Sequence, residues 1–132
     1  MSGYLGSIGF GYPAAMGAWA AAPGRKTVCV TGDGGFGQYL AEVTTAVKYG
    51  MDITHVLLNN SELGKISKEQ RAGEWDVWET DLVNPDFARY VENCGGLGIR
   101  VTDTAALDDA LQRALAHSGP ATIEILTDAE LV

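Results

Sequence analysis

The apolar positions along the chain change period several times, and each change marks an element. Residues 27–31, Thr-Val-Cys-Val-Thr, form a β-branched, apolar run short enough for a buried strand. Gly32-Asp33-Gly34-Gly35 then breaks the run as a glycine turn. Leu40, Val43 and Val47 recur at helical spacing, with the small Thr44 and Ala46 beside them, and Gly50 stops that helix. A second apolar run at 53–58 predicts another buried strand, ending at Asn59-Asn60. Strand, turn, helix and strand together span roughly 30 residues, the size of a βαβ crossover with parallel strands. Upstream, Pro13 suits the first turn of a helix through Ala22, which Pro23-Gly24 ends. Ala14, Ala15, Gly17 and Ala18 make that helix almost all small residues, suited to close approach by a neighbouring helix or a ligand.

Downstream the pattern loosens, then recovers. Residues 63–80 scatter charges among Trp75, Val77 and Trp78 with no clean period, apart from a short helix over 66–70. So long a connection is either a lid or an exposed loop whose tryptophans meet another chain. Asn84-Pro85 reads as a cap and first turn, with Phe87, Tyr90 and Val91 on the apolar face of a helix to Cys94, ended by Gly95-Gly96. A strand at 98–102 follows. Asp103 or Thr104 caps the next helix, whose buried stripe is Leu107, Ala110, Leu111, Ala114 and Leu115, with Asp108 and Asp109 in its early turns. Gly119-Pro120 and a last strand at 121–126 complete the order β-α-β-loop-α-β-α-β behind an initial helix. That order is a doubly wound α/β layer around a mostly parallel sheet.

Composition narrows the partners. At 132 residues and 46% hydrophobic, the chain makes one domain with a real core. A net charge of −8 disfavours nucleic acid and anionic membranes. No apolar run reaches the length of a membrane span, and no signal peptide is visible. Cys29 and Cys94 lack C-x-x-C spacing and read as reduced thiols of a reducing, cytoplasmic compartment. His55 inside a strand, His117 at a helix end and Ser61 without an adjacent base read as structural rather than catalytic.

The candidate chemistry sits where the two central strands end. Parallel strands put their carboxyl ends on one edge, where ligands of open α/β sheets bind, so Asp33 and Asn60 leave that edge together. Residues 32–37 formally match G-x-G-x-x-G. An anionic Asp33 in a phosphate-cradling loop repels pyrophosphate, however, unless a cation lies between them. The acid expected at the end of the second strand is also replaced by Asn59-Asn60, and Asp52 stands at the wrong end. A metal-bridged diphosphate uses every piece. Asp33 gives a carboxylate oxygen, Asn60 an amide oxygen and Glu62 a backbone carbonyl, its side chain being solvated. Two phosphate oxygens and water then complete an octahedron suited to Mg²⁺. Gly34 and Gly35 let backbone N–H groups and the helix start approach the phosphates.

The spaced pair GDG (32–34) and NN (59–60) resembles the signature of thiamine-diphosphate-dependent enzymes. The segment GSIGFGYPAAMGA (6–18) resembles the cofactor-facing part of acetolactate synthases and pyruvate oxidases. NNSELGKISKEQRAG (59–73) and DFARYVENCGGLGIRV (86–101) are most similar to quinone-linked pyruvate dehydrogenase, also called pyruvate oxidase. The resemblance covers nearly the whole chain and implies a diphosphate-binding domain over 1–132, with thiamine diphosphate and Mg²⁺ as cofactors. It implies metal ligands Asp33, Asn60 and Glu62, with Gly34, Gly35, Leu63 and Gly64 around the cofactor. In the segment 3–9 it implies that the Gly6 carbonyl holds the aminopyrimidine and that Ile8 is the apolar wedge beneath it; Ile8 as plain core is the alternative. It implies no catalytic residue here. The family's activating glutamate comes from a pyrimidine-binding domain, usually on another subunit, and that domain and any flavin domain are absent. Relatives also carry a further strand and helix before Gly3, so a sheet edge is expected to stand open and invite self-association or a partner chain. Pyruvate as substrate rests on resemblance alone. A dinucleotide-binding module and a non-catalytic remnant that binds a partner stay open as alternatives.

Overall fold

The structure is a computed structural model that describes residues 6–131; Gly3 of the glycine-rich start lies outside the described residues. Its elements run α1 (Gly11–Ala21), β1 (Thr27–Gly32), α2 (Asp33–Gly37), α3 (Glu42–Lys48), β2 (Ile53–Asn59), α4 (Gly64–Ala72), α5 (Phe87–Asn93), β3 (Leu97–Val101), α6 (Leu107–Ala116) and β4 (Ala121–Leu126). The strands form one sheet in the order β1-β2-β4-β3, and every neighbouring pair is parallel. Helices cover both faces, as doubly wound connections require.

One face carries the larger core. Tyr12, Ala15, Cys29, Phe36, Val43, Ala46, Ile53, Leu57, Phe87 and Val91 interlock there, drawn from α1, α2, α3, α5 and the strands beneath. Under α6, the other face packs Ile99, Val101, Ala110, Ala114, Ala121 and Ile123. This second layer reaches only part of the sheet. Val28 and Val30 of β1 stand 57% and 63% exposed, so the strand expected to be buried is covered on one face only. β1 is also an edge strand, pairing with β2 alone among the described residues.

Several boundaries differ from expectation, each for a physical reason. The helix expected to run on to Gly50 is split into α2 and α3, with turns over 38–41, so Leu40 packs from a turn. The glycines after Asp33 do not form an open turn but wind into α2 at once. The short helix expected over 66–70 is present but longer, as α4, and the residues it buries are Gly64 and Ser67 rather than apolar ones. α5 starts at Phe87, and its cap is Asp86, which accepts from the Arg89 N–H at 2.8 Å; Asn84 does not cap it. Leu115 of the expected stripe on α6 is 44% exposed. No helix among the described residues is long and apolar enough to cross a membrane.

Candidate functional site

The carboxyl ends of β1 and β2 lie side by side, with Gly32 in register with Leu58. Asp33 and Asn60 therefore issue from adjacent strands at one edge. Between the two loops opens a groove of about 1070 Å³. All nine sequence-predicted site residues line it: Gly6, Ile8, Asp33, Gly34, Gly35, Asn60, Glu62, Leu63 and Gly64. The groove continues along the bare edge of β1 and past Ala14 and Ala18 of α1, which gives the small residues of that helix a wall to form.

Asp33 is 3% exposed, a carboxylate held almost wholly inside the protein. Three neutral N–H donors meet it. Gly34 N–H donates to Oδ1 at 3.0 Å, while Ser61 N–H at 2.8 Å and the Asn84 amide at 2.7 Å both donate to Oδ2. With two donors Oδ2 is saturated, whereas Oδ1 keeps a lone pair. Ser61 reaches Asp33 only by taking φ +57°, a left-handed conformation that costs a non-glycine residue energy. Its turn is stitched further by Asn60, whose side-chain oxygen accepts from Glu62 N–H at 3.1 Å.

Glu62 differs from expectation. Its side chain is largely buried rather than solvated: Oε1 lies 3.6 Å from Arg71, and Oε2 is buried with no partner. Its backbone pairs with Asp81 in an isolated antiparallel bridge, whose two bonds use Leu82 N–H to the Ser61 carbonyl and Leu63 N–H to the Thr80 carbonyl. The Glu62 carbonyl takes no part in either bond. The 80–84 segment is thereby strapped to the 61–63 turn, and that is how Asn84 arrives beside Asp33.

The glycines have packing reasons as well. A methyl group on Gly34 would sit 2.7 Å from Leu63 Cδ2 and 3.2 Å from Leu82 Cδ1. One on Gly35 would come within 3.3 Å of the Gly9 nitrogen. These absences let the 6–9 loop close onto α2. Ile8 there is 51% exposed, faces the groove and belongs to neither core cluster.

Oxygen donors only are offered to a cation: a carboxylate, an amide and a carbonyl, with the unpartnered Glu62 Oε2 close in sequence. That set suits a hard ion such as Mg²⁺. No group of three His, Cys, Asp or Glu side chains able to hold a metal by itself exists among the described residues. A Mg²⁺ held by these oxygens would have to take the rest of its shell from oxygens outside this set.

His55 is not part of this chemistry. It is fully buried between Tyr12 and Phe36, bonded to Thr31 at 2.7 Å and Thr122 at 3.3 Å, and burial lowers its pKa to about 3. Two residues at the site were not singled out from sequence. Asn84 carried only the signal of a helix cap. Asn59 reads in sequence as a strand end and as the first half of the NN pair, with no role of its own, yet its Oδ1 accepts from Asn84 at 2.9 Å and from Ser61 N–H at 3.2 Å.

Comparison with known proteins agrees with the geometry. Residues 1–125 match the family model of the thiamine pyrophosphate enzyme C-terminal TPP binding domain. YdaP of Bacillus subtilis is 38% identical over 126 residues, 96% of this chain and 22% of that protein. The mitochondrial acetolactate synthase catalytic subunit of Aspergillus candidus is 36% identical over 128 residues, 96% of this chain and 18% of that one. Among solved structures, the thiamine diphosphate-dependent 4-hydroxybenzoylformate decarboxylase of Rhodococcus jostii RHA1 superposes with a TM-score of 0.84 at 29% identity, over 92% of this chain and 23% of that one. The chain spans about a fifth of the length of the relatives it matches.

Proposed function

The chain belongs to the thiamine pyrophosphate enzyme family, matching its C-terminal TPP binding domain, and from that membership we propose that its groove holds the diphosphate of thiamine diphosphate through Mg²⁺. The observation that carries the reading is Asp33, a buried carboxylate met by neutral donors alone, with one oxygen still able to ligate. Asn60 and the Glu62 carbonyl add an amide and a peptide oxygen from the neighbouring loop. Gly34 and Gly35 border the diphosphate, with Leu63 and Gly64 opposite. Gly6 and Ile8 face the organic part of the cofactor, the first through its carbonyl and the second as an apolar support.

When bound, thiamine diphosphate supplies a carbon nucleophile for the carbonyl of a 2-oxo acid and a sink for the electrons left when carbon dioxide departs. This chain's own residues anchor and orient that group. The full enzyme acts on a 2-oxo acid: 4-hydroxybenzoylformate in the relative's name is one. The resemblance of 59–73 and 86–101 to quinone-linked pyruvate dehydrogenase supports pyruvate as that acid.

The test is a thermal-shift titration with thiamine diphosphate and Mg²⁺, with NAD as control. Wild type is stabilised only when cofactor and metal are both present. Asp33→Ala loses that response while still unfolding cooperatively, and Asn60→Ala loses less of it, because a neutral amide binds a hard cation more weakly than a carboxylate. Wild-type affinity in Asp33→Ala would remove the metal site from the account. Stabilisation by NAD without metal would favour the dinucleotide alternative.

A further inference from the structure

Among the described residues, the most deeply buried carboxylate lies behind the site, not in it. Glu124, at the middle of β4, is fully buried. Its Oε2 accepts from Ala88 N–H at 3.1 Å and from Arg100 at 3.3 Å, and Arg100 is shared with Asp86 at 3.2 Å. Its Oε1 accepts from the Asn59 side-chain amide at 2.7 Å. Resting on the cofactor reading above, we infer that Glu124 is a positioning residue for Asp33, acting through Asn59 and Asn84.

The inference follows from which groups can donate. An ionised carboxylate only accepts, so Glu124 compels Asn59 to turn its NH₂ inward. The Asn59 oxygen must then face the site, where every neighbour is a donor: Ser61 N–H, Ser61 Oγ–H and the Asn84 amide. Because Asn84 donates one hydrogen to Asn59, its NH₂ is turned toward Asp33 and the second hydrogen goes to Asp33 Oδ2. Ser61 N–H is shared between Asn59 and Asp33 in the same way. Each bond in the chain fixes the direction of the next. The far end is a carboxylate rotated so that Oδ2 is consumed and Oδ1 keeps a lone pair for a cation. Reversing either amide would set donor against donor, or aim the Asn84 oxygen at the Asp33 carboxylate. Arg100 and the start of α5 hold the near end, so the relay is anchored in the sheet rather than in the loops.

The test is a double-mutant cycle read as Mg²⁺ affinity at saturating thiamine diphosphate, by calorimetric titration of the whole chain well below each variant's unfolding temperature. Glu124→Gln can point its amide at Asn59 and mismatch the relay. Asn59→Asp sets two carboxylates against each other. Each single variant is expected to bind Mg²⁺ roughly 10- to 100-fold more weakly, as loss of an outer partner of a metal ligand does. The double variant restores an alternating order: the introduced amide on β4 donates to the introduced carboxylate at the end of β2, which accepts from Ser61 and Asn84. Its affinity should return to within several-fold of wild type. Independent structural roles would instead make the double variant the worst of the three. That result, or a Glu124→Gln variant that loses unfolding temperature but no Mg²⁺ affinity, overturns the inference. If one single variant fails to fold, the other single variant and the double variant still decide the sign of the coupling. A wild-type chain with no Mg²⁺-dependent uptake sinks the cofactor reading and this inference together, whereas equal binding by all four chains sinks this inference alone.

Discussion

Ile8 is the residue at which packing and function make opposite predictions. A core isoleucine cut to alanine costs on the order of 2–5 kcal/mol. Ile8 is half exposed, faces the groove and belongs to neither core cluster, so its truncation should cost far less. Ile8→Ala is expected to unfold within a few degrees of wild type and to keep its Mg²⁺-dependent diphosphate anchor. In an enzyme completed by its other domain, turnover should fall more than cofactor affinity, because only the organic part of the cofactor would lose support. A markedly lower unfolding temperature with normal turnover below it would return Ile8 to the core. At this scale the sequence was legible where chemistry is written in one stretch: an acid among glycines, and a pair of asparagines ending a strand. It was not legible where a bond joins distant segments. Asn84 reaches Asp33, and Glu124 reaches Asn59, across most of a domain. Nothing beside Asn84 distinguished a site residue from a helix cap, and Asp86 took the cap. Glu62 looked like a surface acid for the same reason, since the 80–82 strap that covers it comes from elsewhere.

Among the elements, β2 shows what burial does to an ionisable group. His55 ties three strands together, with Thr31 of β1 on one side and Thr122 of β4 on the other. Buried and neutral, it has a folded pKa of about 3, against 6.5 for the free side chain. The depressed value means that the unfolded chain takes up a proton below pH 6.5 and the folded one does not. Stability is therefore full above that pH and drains away as pH falls toward the folded value. The slope approaches about 1.4 kcal/mol per pH unit for one group, or on the order of 2 kcal/mol by pH 5. Urea unfolding at pH 7 and pH 5 should show this extra loss in wild type but not in His55→Gln. An equal loss in both would mean that other groups carry the acid sensitivity. The elements themselves were legible where apolar period and burial agree, as in β2 and β4. Their extent was obscured where burial falls on small or polar residues: α4 runs past both ends of the helix expected over 66–70, and it hides Gly64 and Ser67, which no hydrophobic period registers.

At the scale of the whole molecule, the groove is open where the sheet is bare. It runs from the Asp33 loop along β1, whose Val28 and Val30 face solvent. Covering what remains exposed of each valine would be worth roughly 1 kcal/mol or more, so this flank favours association with another surface. A cofactor bound here alone would be gripped at its diphosphate end and wetted along the rest. The acids that line the groove are Asp33, Glu62 and Asp128. The first two lie at the proposed metal end, and Asp128 Oδ1 accepts from the Glu130 N–H at 2.9 Å. The role of the glutamate that activates the aminopyrimidine is the one that family resemblance gives to a pyrimidine-binding domain. The isolated chain should therefore bind thiamine diphosphate weakly and release no carbon dioxide from pyruvate. Supplying a pyrimidine-binding domain in trans should tighten cofactor binding, because the second wall removes water and fixes the organic ring against Ile8. Turnover should appear only in that mixture, since wall and acid arrive together. Carbon dioxide release is the measurement, made on the purified chain with Mg²⁺ and cofactor, with and without the added domain. Sustained release by the chain alone would mean that an acid already in the groove does the activating work. His55 is closed to that role by its burial, so Glu62 and Asp128 would be the first residues to replace.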